Sequence, residues 1–396
     1  MSPSKVAWPI PFVVAGAAIL LTVMAVAPRP QAPASGSSEP GSRRFASVVQ
    51  KDALRPPKTG RELYQDACAS CHGPGGTGTP QSQVGFDVPL PDFTSCTFAT
   101  REPDGDWVAV AHQGGPVRGF SRRMPAFGDA LTRGQLQKIM DYIRTLCPDE
   151  DWPRGELNLP RPLVTEKAYP EDEAVLTTSL DVENEGAVLN EIVYETRFGA
   201  RNQLEIAVPF GYRERPDGTW TGGHLGDVAI GTKRALYHSL ESGSIVSLTG
   251  EVLLPTGAED QGFGSGTTVF EPFASFGQIL PAGAFLHAQG GAEIPFDQDR
   301  VENEAFLRGA LGKSFTSGQW GRTWSPMVEV LGSRGLESGA ETEWTLAPQM
   351  QVTLNTRQHV MMNVGVRIPV GDDGRDTRVT VYLLWDWFDG GFLEGW

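Results

Sequence analysis

The sequence predicts a multidomain chain in which a small all-α domain is followed by an all-β antiparallel barrel of about twelve strands. Three observations carry that expectation. Residues 59–150 hold two capped, helically periodic stretches around a Cys-x-x-Cys-His run. Residues 170–396 switch to strict period-two alternation, in segments separated by Gly, Pro, Asp and Asn. The 396 residues also include 47 glycines, which suits a turn-rich β protein better than a helical one.

Composition narrows the choices further. The length suggests two or three domains at ~150 residues each. With 40% hydrophobic and 20% charged residues, global disorder is excluded. Lys plus Arg is 33 and Asp plus Glu is 48, so the net charge is 33 − 48 = −15. That balance argues against a nucleic-acid partner, which calls for a basic footprint. Four cysteines are too few for a disulfide scaffold.

The N-terminus reads as an export address. Lys5 precedes an apolar run from Phe12 to Ala27, broken only by Gly16 and Thr22 and shorter than the ~20 residues of a comfortable bilayer span. Small residues at Ala32-Pro33-Ala34 then suit a cleavage site, so residues 1–34 are expected to be a signal peptide, with an uncleaved membrane anchor as the alternative. Residues 35–58, rich in Pro, Ser, Gly and Ala, form a linker.

Thr59 and Glu62 make a capping box that opens a helix through Leu63 and Ala67 into Cys68-Ala69-Ser70-Cys71-His72. Haem attachment needs two thiols spaced to reach the vinyl groups of one porphyrin, and an imidazole at the next position to reach the iron. A thioredoxin-like pair or half of a zinc site is the competing reading. Neither a second Cys-x-x-Cys nor a βαβ pattern accompanies the motif. A sixth iron ligand is expected at Met124, in the turn-forming loop Met124-Pro125-Ala126-Phe127-Gly128, with His112 as its rival and Met140 facing a helix core. Thr132 and Gln135 form a second capping box, followed by Leu136, Ile139, Met140, Ile143 and Leu146 at helical spacing. Residues 151–169 are expected to be a linker.

Residues 59–148 resemble a class I cytochrome c domain, with a capped N-terminal helix, CASCH, a Met-Pro loop and a C-terminal helix. The resemblance implies one covalent haem c, with Cys68 and Cys71 as thioether attachments, His72 as proximal ligand and Met124 as distal ligand. Cys96 and Cys147 lie in the same exported domain, and a disulfide between them is expected; two unpaired buried thiols are the alternative.

In residues 170–396, Leu204, Ile206, Val208, Phe210 and Tyr212 share one face against Glu205, Ala207 and Arg213. Trp344, Leu346, Met350 and Val352 likewise oppose Glu343, Thr345, Gln349 and Gln351. The segments approach the ~9–11 residues of a tilted membrane-crossing strand. Twelve are expected, near 174–183, 189–198, 203–213, 225–236, 244–254, 267–278, 284–296, 303–314, 323–332, 342–354, 358–369 and 378–388. Their polar faces suit a wet lumen, whereas a soluble β-sandwich would use the apolar faces as its core. This half resembles outer-membrane porin-like barrels, which often end on an aromatic; Trp396 is terminal, but Gly390, Gly391 and Gly395 interrupt the pattern before it. Residues 51–150 hold 11 basic and 12 acidic side chains, and residues 151–396 hold 18 and 35, so the acidity belongs to the barrel half. A cation-favouring lumen and ordinary solvated loops both account for it.

The layout resembles fused cytochrome–porin iron oxidases. That implies single-electron transfer at or across the outer membrane, with the haem domain periplasmic or in the barrel mouth. Periplasmic electron carriers and outer-membrane lipid would be the partners and Fe(II) a possible donor. Two alternatives remain, a transport channel with a tethered electron carrier and a periplasmic cytochrome with a soluble β domain. No nucleophile elbow or phosphate loop appears, so electron transfer is expected rather than catalysis on an organic substrate.

Overall fold

The computed structural model describes residues 58–86, 88–182, 186–371 and 377–387. The expected leader, nearly all of the linker before residue 58, and Trp396 lie outside those residues.

Three helices frame the first domain, α1 (Gly60–Ala67), α2 (Asp104–Gln113) and α3 (Arg133–Arg144). Both expected capping boxes are present. Thr59 accepts from the Glu62 backbone N–H while the Glu62 carboxylate accepts from Thr59, and Thr132 and Gln135 repeat the arrangement. The α3 stripe of Leu136, Ile139, Met140 and Ile143 packs onto Leu63 and Tyr64 of α1, Val108 and Ala111 of α2, and Phe93. Gly60 makes the α1–α3 crossing possible, because a Cβ there would stand 2.0 Å from the Lys138 carbonyl oxygen. A disulfide joins Cys96 to Cys147, with Cα atoms 5.2 Å apart. In the chain-entropy account, closing a loop of this size stabilises the domain by about 4 kcal/mol.

Fourteen strands follow among the described residues. They are β1 (Glu173–Asp181), β2 (Ala187–Phe198), β3 (Asn202–Glu214), β4 (Trp220–Leu225), β5 (Val228–Ser239), β6 (Ser244–Leu254), β7 (Val269–Ile279), β8 (Ala284–Pro295), β9 (Glu304–Lys313), β10 (Phe315–Thr316), β11 (Thr323–Gly335), β12 (Glu343–Thr353), β13 (Val360–Val370) and β14 (Arg378–Asp386). β4 and β10 only extend the hairpins of β3 and β11. The other twelve form one antiparallel ring. It closes where β1 pairs β14, Glu173 opposite Asp386, and where β9 pairs β11, Val328 opposite Leu311. Among the described residues the twelve-stranded ring has no unpaired edge.

The ring is apolar outside and polar within. Leu307, Leu311, Leu248 and Leu236 are all more than half exposed on the outer face. Glu195, Gln203, Glu329 and Asn363 are fully enclosed at 0% exposure. A sandwich in water would bury the first set, at about 1.5–3 kcal/mol per side chain, and expose the second. This arrangement satisfies each set only when lipid surrounds the wall. Exposed Tyr194, Tyr212, Tyr237, Trp220 and Trp344 add amphipathic rings to the outer surface.

What fills the lumen is the stretch connecting the two domains. Residues 155–172 run inside the ring, and polar side chains of the wall satisfy their backbone. Glu329 accepts from the Val164 and Thr165 N–H groups, and Gln289 and Gln203 accept from those of Glu166 and Glu171. Asn363 and Tyr382 donate to the Arg161 carbonyl, and His287 lies 3.0 Å from that of Pro160. Leu157, Leu159 and Leu163 pack into small apolar pockets of the wall. The inward Gln, Asn, Tyr and Glu residues thus replace water as partners for a buried extended chain.

Candidate haem site

The site begins where α1 ends. Cys68 caps α1 and starts a single further helical turn, Ala69–His72, in which His72 N–H donates to the Cys68 carbonyl at 2.9 Å. Cys68 and Cys71, three apart on one turn, face the same way and are both free thiols, half-buried. Gly73 leaves the helix at φ +74°, a conformation that a side chain disfavours. The following loop then folds back, with Gly78 N–H donating to the His72 carbonyl and Thr79 N–H to that of Cys71. Tyr64, buried in α1, donates its hydroxyl to the Gly73 carbonyl at 2.7 Å. The Cys68–His72 turn is therefore held from both sides.

His72 stacks on Phe93, ring centroids 4.9 Å apart, and Phe93 continues into Phe98 and Trp107. Burial pulls the His72 imidazole down to about 4, so it is neutral and carries a ligating lone pair at ordinary pH. Its Nδ1 is buried without a hydrogen-bond partner. Burial also pushes the Cys68 thiol up to about 11. Two uncommitted thiols on one face and an adjacent half-buried neutral imidazole fit a covalent haem; a thioredoxin-like site would want a thiol pushed down instead.

The Met124 loop is sewn to the end of α2. Gly115 N–H donates to the Met124 carbonyl at 3.0 Å, Phe127 N–H to Ala111 and Gly128 N–H to His112. Gly114 allows this closeness, since a Cβ there would meet the Met124 oxygen at 3.0 Å. Met124 is half-buried in this loop, and Met140 lies in the core as its helical spacing predicts. His112, the other candidate, lies in the last turn of α2. Its Nδ1 lies 2.8 Å from Gln113 Nε2, and its ring lies 5.7 Å from that of Trp320.

Trp320 belongs to the turn 317–322 of the barrel, so the two domains meet here. Arg118 donates to the Trp320 carbonyl at 2.8 Å and pairs with Asp106 at 2.7 Å. Arg101 pairs with Asp172 at 2.9 Å, and the Arg357 guanidinium lies 4.7 Å over Phe120. His359, before β13, is flanked by Glu102 at 2.6 Å and Asp386 at 3.3 Å. Beneath this seam lies a cavity of about 160 Å³, lined among others by Glu102, Asn158, Arg161, Gln351, His359 and Asp386. The helical domain thus covers the barrel end that carries the turns 199–201, 240–243, 280–283 and 354–359.

Sequence reasoning did not find Trp320, although an isolated aromatic in a Gly-rich turn, Gly318-Gln319-Trp320-Gly321, was a visible signal. It also did not find Arg161 and Lys167, the enclosed cations of the lumen. Arg161 pairs with Glu166, Glu173 and Glu195, and Lys167 with Glu171 and Glu173. The carboxylates of Glu166, Glu195 and Glu205 converge within 4.8 Å. Arg161 and Lys233 lie against this cluster and neutralise much of its charge, so ion pairing accounts for it.

Comparison with known proteins divides the chain at the same place. Residues 55–143 match the family model of cytochrome c oxidase, cbb3-type, subunit III. Residues 168–375 match that of the putative MetA-pathway of phenol degradation. No curated protein matches the chain. Among solved structures, it is similar to an outer membrane channel from Pseudomonas putida F1 at 13% identity and TM-score 0.43, covering 57% of this chain and 99% of the other. It is also similar to the KdgM porin at 10% identity and TM-score 0.39, covering 54% and 99%.

Proposed function

The chain belongs to the putative MetA-pathway of phenol degradation family through residues 168–375, and from that premise we propose that it is an electron-transfer protein of the bacterial outer membrane. It carries a c-type cytochrome domain fused to a closed twelve-stranded barrel. In this reading one covalent haem c is held by Cys68 and Cys71, with His72 as proximal and Met124 as distal ligand. The haem supplies an iron that changes oxidation state by one electron. His72 and Met124 would be the residues that hold the iron, and a thioether donor would favour its reduced form. Tyr64 and the 73–79 loop fix the attachment turn, and the Cys96–Cys147 disulfide ties the central loop to the end of α3.

One observation carries the reading. The cytochrome domain is seated on a particular end of an inside-out barrel, the end with the short turns. The loops 255–268, 296–303 and 336–342 at the other end are longer. Short periplasmic turns and long outer loops are the pattern of outer-membrane barrels, so the cytochrome side is read as periplasmic, within reach of soluble electron carriers there. The lumen is occupied by 155–172, which favours electron transfer over a solute channel. Inward-facing Glu251, Glu271, Glu293 and Glu304 lie at the strand ends next to the long loops, and such a vestibule attracts cations. An extracellular donor such as Fe(II) is therefore the substrate we propose to test.

Membrane fractionation with haem staining tests the core of the proposal. The expected result is a haem-stained band of full length in the outer-membrane fraction. A haem-free polypeptide, or one soluble without detergent, overturns it. Fe(II) added outside intact cells is expected to reduce the haem, and an unchanged spectrum removes that donor alone.

A further inference from the structure

We propose that the barrel contributes a residue to the cytochrome site, with the Trp320 indole N–H serving as hydrogen-bond donor to a propionate carboxylate of the haem. This rests on the reading of Cys68, Cys71 and His72 as a haem attachment.

Trp320 is covalently part of the barrel but packs with the core of the cytochrome domain, among the side chains that surround Leu63, Tyr64, Phe93 and Ile139. Its ring stands beside His112, the residue whose carbonyl anchors the Met124 loop, and the Arg133 guanidinium lies 5.7 Å over it. Its turn is braced. Gly321 N–H donates to the Ser317 carbonyl, Ser317 N–H to that of Arg322, and Gln358 reaches over from the β12–β13 turn to the Gly321 carbonyl. Gly321 is required there, since a Cβ would meet the Ser317 oxygen at 2.2 Å. The structure therefore spends a rigid turn on holding one indole in a foreign domain.

The indole nitrogen is the unexplained part. Trp320 Nε1 is buried and has no hydrogen-bond partner. A buried indole N–H ordinarily finds an acceptor, and leaving it unmade costs about 1–3 kcal/mol. In the same core, the proposed proximal ligand His72 also has a ring nitrogen buried without a partner. A haem carries its hydrogen-bond acceptors at one rim, as propionate carboxylates. An N–H donor at that rim, with Arg133 and Arg118 close by, would match an anionic acceptor and give a charge-assisted bond. Such a bond draws negative charge away from the iron and raises its potential.

The test uses full-length protein in detergent, with Trp320→Phe and Trp320→Ala. Phe keeps the ring and removes only the N–H. The expected result for W320F is retained Soret absorbance and melting, a lower midpoint potential, and shifted propionate bending modes in resonance Raman spectra. W320A is expected to lower the melting temperature as well. On the wild type alone, transfer to D₂O is expected to shift the propionate modes, because the donor proton exchanges. Propionate modes that ignore deuterium, or a W320F potential equal to wild type while W320A is altered, assign the indole to packing and overturn the proposal. Wild-type protein without covalent haem overturns the reading beneath it instead.

Discussion

The two halves of this chain use the same residue classes in opposite ways. In the helical domain Leu63, Leu136, Ile139 and Ile143 turn inward while Arg61, Glu62, Arg133 and Lys138 turn out. In the barrel, Leu248, Leu307 and Leu311 turn outward while Glu195, Gln203, Glu329 and Asn363 turn in. The comparison teaches that periodicity reports only which residues share a face. The surrounding solvent decides which face is the inside, water for one domain and hydrocarbon for the other. The two cores also differ in kind. One is close-packed apolar contact, and the other is a hydrogen-bonded filling in which Arg161 alone meets three carboxylates.

The largest expected break in that contrast is chemical. Cys68→Ala with Cys71→Ala should abolish covalent haem while leaving the barrel folded. Haem staining and the heat-dependent gel mobility of the barrel measure the two halves separately; a stained band in the double variant would refute the attachment site.

Next comes the lumen. Arg161→Met leaves Glu166, Glu173 and Glu195 without their shared cation, and losing one partner of a buried pair costs about 3–5 kcal/mol. The barrel should lose its folded gel mobility at a lower temperature and conduct ions in planar bilayers more often than wild type. Unchanged thermal behaviour would show that the lumen is wet enough to screen these charges.

On the outer wall, Leu311→Arg sharpens the comparison directly. It should cost about 2–4 kcal/mol if position 311 faces lipid near the bilayer midplane, and almost nothing if the wall faces water. Urea titration in lipid vesicles decides between them.

The smallest effect belongs to the α1 cap. Backbone and hydroxyl hydrogen bonds from Thr59 hold the exposed Glu62 carboxyl below its usual range. A depressed folded value means the contribution is present above the unfolded pKa and fades as pH falls through the folded one. Thr59→Ala should therefore lower the cytochrome domain's melting temperature slightly near neutrality, and the gap to wild type should narrow in acid. A pH-independent gap would point to helix propensity alone.

Much of the fold was legible before any coordinates. Thr59 and Thr132 marked helix starts because a side-chain oxygen must satisfy orphan N–H groups at those positions. Cys-Ala-Ser-Cys-His marked a helical turn that sets Cys68 and Cys71 on one face, because spacing along a helical turn is local geometry. Twelve alternating segments marked the strands, and all of them are found within a few residues of their expected places. Residues 151–169 were another matter. Pro153, Pro160 and Pro162 give the stretch the composition of a connector, and it does connect the domains, but largely through the interior of the ring. No local rule reports that, because its backbone partners, Gln203, Gln289, Glu329, Asn363 and Tyr382, come from strands far apart in sequence.

By itself, the sequence determined everything that depends on neighbours along the chain, namely caps, the Cys-x-x-Cys-His turn, strand period and the separation of a cytochrome half from a barrel half. Tertiary structure alone decided that β9 pairs β11 and β1 pairs β14 to close the ring, that the connector enters it, and that Trp320 crosses into the other domain. The reason is physical. Local structure follows from dihedral and hydrogen-bond preferences within a few residues. Closure, filling and docking follow from which distant groups must satisfy each other once water has been excluded.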